Sequence, residues 1–328
     1  MNYIDLHLHL DGSLSLKTAR QLAEIEKVEL PQSDEELLNL MQCPKDCRDL
    51  NEYLKCFELP VSLMQSKESL EIAAHNLCAD LAETGCIYAE IRFAPQLHCR
   101  KGLNQKQVVQ SVLKGLKKSS IPVNLILCCM RGNCHKENKE TIQLVKKFES
   151  AKDYSVVAAD LAGAEALFPN ENFLQEFGLA QKLGINYVIH AGEASGPESV
   201  ISASWMGAYR IGHGVRSIEN QDAVNTLLEK DITLEICPTS NLQTKIFNSI
   251  EEIPIPQLLQ AGVELTINSD NMTVSGTNAG LEMEKVLNTF VEPEHRHEVY
   301  KGFLFNALES SFCSNKLFNK LSEQIQNM

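Results

Sequence analysis

Five short segments place metal-binding or proton-handling side chains directly after runs of Ile, Val, Leu, Tyr or Thr. They are His7-Leu8-His9, His190-Ala191-Gly192-Glu193, Gly212-His213-Gly214, Glu235-Ile236-Cys237-Pro238 and Ser269-Asp270-Asn271. Each run reads as a β-strand, so each segment falls at a strand's carboxyl end. The five are spread over most of the chain, yet one architecture gathers the carboxyl ends of many parallel strands at a single point. That architecture is the closed (β/α)8 barrel of the TIM type, whose active site lies on that face. The pattern therefore calls for a single, metal-centred catalytic site.

The rest of the chain supplies the strands and helices such a barrel needs. Strand patterns are predicted at 3–7, 87–93, 123–129, 156–161, 186–190, 209–213, 233–237 and 264–268. Helical spacing fills most intervals, as at 106–118, 136–149, 173–183 and 223–230. Eight alternations suit a closed barrel better than an open doubly wound sheet, which periodicity alone leaves possible. The open sheet would not bring such distant strand ends together. No Pro/Gly/Ser-rich linker, repeat or low-complexity tract divides the chain, so a single domain over 1–328 is expected. The long connection between residues 10 and 85 departs from a compact βα unit. Its segments 14–26, 34–41 and 50–58 read as helices inserted after the first strand, over the catalytic face. Leu54 and Phe57 there either cover a substrate or belong to a structural cap. From Gly280 onward further helices complete the outer ring at the C-terminus.

Composition narrows the function classes. At 44% hydrophobic and 22% charged the chain is an ordinary soluble globular protein. Its 43 acidic against 30 basic residues give a formal charge of −13, which argues against a broad nucleic-acid or anionic-membrane footprint. No apolar run approaches the roughly 18–20 residues of a membrane span, and the N-terminus carries no signal-peptide pattern. Eleven cysteines form no regular framework, which fits reduced thiols and a cytoplasmic location. Cys43-x3-Cys47 and Cys129-x4-Cys134-His135 look like zinc fragments, but neither has a matching second pair.

Alternation along a strand puts His7 and His9 on one face, as two neighbouring metal ligands require. His295-Arg296-His297 has the same spacing in a polar segment that reads as helical, where i and i+2 diverge. Each remaining residue has an ordinary explanation by itself. Glu193 could be an acid at a helix N-terminus, Asp270 a turn residue or cap, and His213 a packed strand-end residue. Together these explanations do not account for three histidines and a carboxylate at strand termini, with a further acid and histidine beside them. A mononuclear metal site needs that inventory: imidazole and carboxylate ligands, an open water position and groups that move protons. The loop 192–196 lacks the Gly-Lys-Ser/Thr ending of a phosphate-cradling loop, and no Gly-x-Ser-x-Gly elbow occurs. Asp160-Leu161-Ala162-Gly163 offers no lysine to bridge two metals, so one metal is expected.

At this point the motifs resemble those of the adenosine deaminase family within the amidohydrolase superfamily. The matching segments are His7-Leu8-His9-Leu10-Asp11-Gly12, Tyr88-Ala89-Glu90-Ile91-Arg92-Phe93-Ala94-Pro95, Asp160 to Gly163, His190 to Glu193, Gly212 to Gly214, Glu235 to Asn241 and Asn268-Ser269-Asp270. They run in family order from residue 5 to about residue 280. Tyr53 to Pro60 and Asn241 to Thr244 are similar to bacterial members. The resemblance implies one Zn2+ per chain held by His7, His9, His190 and Asp270, making water nucleophilic near neutral pH. It also implies attack at purine C6, with His213 as base and electrostatic partner and a protonated Glu193 giving a proton to N1. By the same resemblance His9 also faces the substrate, Gly163 meets N3, Asp11 receives the ribose 5′-hydroxyl and Asn271 lies near N7. Asp160 and Glu235 would orient the histidines.

Animal members carry a second aspartate where this chain has Asn271, whose amide donates a hydrogen bond without first being protonated. The implied reaction is hydrolytic deamination of adenosine and 2′-deoxyadenosine to inosine and 2′-deoxyinosine, a step of purine salvage. Alternatives are the same chemistry on aminodeoxyfutalosine, adenine or N6-modified AMP. A non-catalytic binding protein on the same fold is a further one, against which the presence of both Glu193 and His213 argues. The expected partner is thus a small purine nucleoside, with no nucleic acid and no membrane. No phosphate clamp is evident, since Arg92, Arg131 and Arg216 near strand ends read as members of structural ion pairs.

Overall fold

The computed structural model describes residues 1–328. Eight strands follow one another along the chain: β1 (Tyr3–His9), β2 (Cys86–Phe93), β3 (Val123–Met130), β4 (Val156–Ala162), β5 (Val188–Ala191), β6 (Arg210–His213), β7 (Thr233–Ile236) and β8 (Leu265–Ile267). Every pairing is parallel and sequential, β1 to β4 in one ladder and β5 to β8 in another. Two seams join the ladders. At β8–β1, the His9 amide donates to the Asp270 carbonyl and the Asp270 amide to the His7 carbonyl, both at 2.8 Å. At β4–β5, the Ala159 amide donates to the Asn186 carbonyl at 3.0 Å. The result is a TIM-type (β/α)8 barrel whose seams rest on isolated bridges.

Parallel strands covered on both faces become near-continuous apolar runs. β3 and β4 show this, buried along their lengths except for Met130. The barrel interior is nonetheless charged. Arg92 and Arg210 are fully buried there and paired with Glu90, Asp160 and Glu235. One hydrophobic cluster runs from Tyr3 to Ile325 and takes in strands, outer helices and the C-terminal segment.

Between β1 and β2 lie the helices Leu16–Glu26, Asp34–Met41, Leu50–Tyr53, Glu58–Ser62 and Lys67–Glu83. The single helix expected over 50–58 is instead broken. Asp49 caps a one-turn helix by accepting from the Glu52 amide, the chain tightens into a 3-10 turn at Leu54–Phe57, and a new helix starts at Glu58. Pro60 explains the restart, because proline is tolerated in a first turn but costs about 3 kcal/mol in a helix interior. Helix Lys67–Glu83 was not anticipated; a reciprocal capping box between Ser66 and Ser69 starts it. At the far end, Ala279–Phe290, Arg296–Glu309 and Asn315–Gln326 complete the outer ring. No helix is long and apolar enough to cross a membrane.

Candidate active site

The carboxyl ends of β1, β4, β5, β7 and β8 converge on a group of imidazoles and carboxylates. His7 Nδ1 lies 2.8 Å from Glu235 Oε2, and His190 Nδ1 lies 3.1 Å from Asp160 Oδ1. Burial works against the charge on both acids. His190 and Arg92 outweigh it at Asp160, and Arg92 and Arg210 at Glu235, so both carboxyls are held well below their usual range. An anionic acceptor at Nδ1 places the ring proton there and leaves the Nε2 lone pair facing the centre.

The Nε2 atoms meet at that centre. His9 Nε2 is 3.3 Å from His190 Nε2, and Asp270 Oδ1 lies 3.5 Å from both His7 Nε2 and His9 Nε2. His7 Nε2 is buried without a hydrogen-bond partner. Burial depresses His9 and His190, keeping them in the neutral form that binds metals. Burial and Arg92 also depress His7, but Asp270 and Glu235 outweigh them and draw it upward. The convergent imidazole nitrogens and the Asp270 carboxylate fit a divalent metal ion.

Two of these residues stand on unusual backbone. His213 has φ +61° and Asp270 φ +60°, the left-handed region that non-glycine residues seldom occupy and that clusters at functional sites. Gly212 precedes His213 because a Cβ there would come within 2.9 Å of His7 Cε1. The His213 ring centroid lies 5.0 Å from that of His7, and its Nδ1 is 3.0 Å from the Asn241 side-chain amide. Burial holds His213 well below the usual imidazole range. Its Nε2 is 3.6 Å from Glu193 Oε2.

Glu193 sits in a bend rather than at the start of a helix; the next helix begins only at Pro197. The explanation of Glu193 as a helix N-terminal acid therefore fails. Burial first, then the charges of Asp270 and Glu165, push its carboxyl well above the ordinary range, which favours its protonated form.

A pocket opens onto this floor, which includes His9, Asp11, Gly163, Glu193, His213, Asp270 and Asn271. Its walls are apolar: Leu50, Tyr53, Leu54 and Phe57 come from the connection after β1, Leu97 and Met130 from the ends of β2 and β3. No lysine or arginine lines it. Asp11 Oδ1 is buried without a partner, and burial raises the carboxyl to about 7. His98 Nε2, also buried and unpartnered, is 3.9 Å from Asp11 Oδ2. Asn271 Nδ2 donates to Tyr53 Oη at 2.8 Å, which leaves its second N–H for another acceptor. Gly163 turns at φ +107° beside Met130.

Arg92 and Arg216 form the expected ion pairs, with Asp160 and Glu235 and with Glu219. Arg131 does not. It donates to the Phe168 carbonyl, Asn170 Oδ1 and the His190 carbonyl, tying the end of β3 to the segment after β4 and to β5 through neutral acceptors. His295 and His297 are exposed at the start of a peripheral helix, apart from this site. Glu165, His98 and the orienting contact of Asn241 were not anticipated from sequence. An acid soon after the end of β4 was the one available signal for Glu165.

The family profile described as "Adenosine deaminase" matches residues 3–328. Proteins named adenosine deaminase are similar over nearly the whole length. That of Haemophilus ducreyi is 44% identical, covering 98% of this chain and 95% of its own. That of Clostridium perfringens is 41% identical, covering 98% and 97%. Among solved structures, the adenine deaminase of Arthrobacter aurescens superposes with a TM-score of 0.88 at 24% identity, over 99% of this chain and 98% of its own. The Arabidopsis N6-mAMP deaminase gives 0.86 at 24%, over 100% and 98%. A Burkholderia ambifaria amidohydrolase with bound Zn gives 0.83 at 18%, over 100% and 93%. At these identities the structures establish the common fold.

Proposed function

The chain belongs to the adenosine deaminase family, and on that premise we propose that it hydrolyses the 6-amino group of adenosine and 2′-deoxyadenosine. The products are ammonia and inosine or 2′-deoxyinosine. The observation that carries the reading is the pair of overlapping three-residue clusters, His7–His9–Asp270 and His7–His190–His213, beside the buried Glu193 on the floor of an apolar pocket.

Deaminases of this family depend on a metal. We assign its ligands here as His7, His9, His190 and Asp270, with one ion per chain. Zinc suits this nitrogen-rich set and is the ion held by the Burkholderia neighbour. When bound, such an ion supplies the Lewis acidity that makes water nucleophilic at neutral pH. The residues handle the protons. Glu193, held protonated, gives its proton to N1, so the ring accepts attack at C6. His213 Nε2 takes a proton from the attacking water, for which Nδ1 must carry the ring hydrogen. Turning the Asn241 amide end for end would offer Oδ1 to that hydrogen; Oδ1 is buried and otherwise unpartnered. The proton on His213 then reaches the amino group, the C6–N6 bond breaks as ammonia leaves, and the C6 hydroxyl gives its proton back to Glu193, which leaves a 6-oxo purine with N1 protonated.

Binding follows from the remaining groups. Asp11 accepts the ribose 5′-hydroxyl, the Gly163 backbone meets N3 and the free N–H of Asn271 meets N7. His9, at the pocket floor, borders the reacting edge. The segment 10–85 acts as a cover within one catalytic unit of 1–328, its Leu54 and Phe57 excluding water. An unpartnered polar side chain suited to a ribose hydroxyl favours a nucleoside over a free base, and a wall without cations favours it over a nucleotide. Glu193→Gln is the direct test. Bound metal should be retained and kcat should fall by about 10²–10⁴, the usual worth of a placed proton donor. Full turnover would remove Glu193 from the proton transfer.

A further inference from the structure

The loop that carries Glu193 is anchored by a side chain from the neighbouring strand end. After β4 the chain turns at Gly163, and Glu165 reaches across to the segment that follows β5. Its Oε1 accepts the Gly192 amide at 2.8 Å and the Ser199 hydroxyl at 2.6 Å. Its Oε2 accepts the amides of Glu193, Ala194 and Ser195 at 3.1, 2.7 and 3.0 Å. Five donors saturate a carboxylate, which offers about four lone-pair sites. None of the four amides donates to a backbone carbonyl. Successive N–H groups turned to one side form a concave anion-binding nest, and this nest is filled from within by Glu165, itself only 1% exposed.

The local sequence permits this shape. Gly192 takes φ +67°, which turns its amide toward the same acceptor as the next three. The loop's carbonyl side is fixed independently: the Gly214 amide donates to Ala191 and the Arg216 amide to Gly192. Glu193 rises from the middle of this clamp, with Oε2 3.6 Å from His213 Nε2.

We propose that Glu165 is a positioning residue for deamination: by binding four successive amides it fixes the backbone on which the proton donor Glu193 stands. The inference rests on the role assigned to Glu193 above. Glu165 does not line the pocket, and a displacement of about 1 Å in a reacting group can cost on the order of 100-fold in rate. Its loss should therefore fall mainly on kcat and little on KM, because the contacts assigned to Asp11 and Asn271 come from the ends of β1 and β8, outside the clamp.

The test substitutes Glu165→Gln in the metal-loaded enzyme and again in the Glu193→Gln background. Glutamine keeps the shape, but in either orientation at least one loop N–H faces its NH2 group. The expected result is a ten- to hundredfold loss of kcat with Glu193 present, by the positional sensitivity above. KM should change by less than about threefold, metal content should be native, and with Glu193 already replaced the further loss should be below about twofold, as for two residues acting through one step. Unchanged kcat, or an equal loss in both backgrounds, would overturn the proposal. Should Glu165→Gln fail to fold, Ser199→Ala removes one donor and decides by the same comparison: a loss confined to the background with Glu193 supports it, and no loss or an equal loss overturns it. Full activity of Glu193→Gln alone would instead overturn the proton-donor reading beneath it.

Discussion

Asn271 shows how much depends on single atoms at this site. One N–H of its amide is engaged by Tyr53, and Tyr53 Oη in turn meets Ser275 Oγ at 2.7 Å, so the side chain is held before substrate arrives. If the other N–H serves N7, Asn271→Ala should keep bound metal and lower kcat/KM about tenfold, the worth of roughly 1.4 kcal/mol for one hydrogen bond. Steady-state kinetics with adenosine checks this, and unchanged constants would take Asn271 out of the substrate site. The candidate metal and proton-transfer residues stand out in the sequence because each lies at or just past the end of an apolar strand, where residue type and position carry the message together. Glu165 and Tyr53 do not. Their partners are backbone amides and an Asn side chain, joined over 27–30 and 218 residues of sequence, and no spacing rule encodes such contacts.

Among the elements, the strands were the most readable, since burial on both faces leaves little choice of composition. Their ends were less so. β1 runs on to His9 and β8 spans only Leu265–Ile267, because the seam bridges decide where pairing stops. The apolar spacing of 50–58 suits one helix, and it carries no sign of the 3-10 turn at Leu54–Phe57 or of the restart at Glu58, which Pro60 imposes from outside the segment. The turn after β2 makes a prediction at this scale. His98 is fully buried at the end of the 3-10 turn Pro95–His98, and its Nδ1 lies 3.0 Å from the Met64 carbonyl. Burial lowers it from 6.5 to about 4. At this site the unfolded chain binds a proton between these values that the folded chain does not, so the contribution of His98 to stability falls as pH drops from about 6.5 to about 4, while Asp11, raised by burial, works in the opposite sense. The contribution is on the order of 3 kcal/mol. Urea unfolding at several pH values should show the native chain losing more stability than His98→Gln as pH drops through this range, by about that amount; equal slopes would contradict the assignment.

At the scale of the whole molecule, the candidate metal ligands lie where the barrel is least continuous. His7 and His9 face Asp270 across the β8–β1 seam, and His190 pairs with Asp160 across the β4–β5 seam. Arg92 links Asp160 to Glu235 from inside the barrel. A metal at the centre would join both halves, so its removal by a chelator should lower Tm by several degrees, since any ligand specific to the folded state stabilises it by mass action. Calorimetry should show the loss and its recovery on adding Zn2+; identical Tm values would mean that no metal bridges the seams. This end of the barrel, on the reading proposed above, is a metal-dependent catalyst of nucleoside deamination. The most direct test of that reading is to count metal in the purified chain while following ammonia release from adenosine, 2′-deoxyadenosine, adenine, N6-methyl-AMP and aminodeoxyfutalosine. About one metal per chain, as a mononuclear site requires, with fast release from the two nucleosides, is the expected result. Silence on both nucleosides with metal bound would contradict the account.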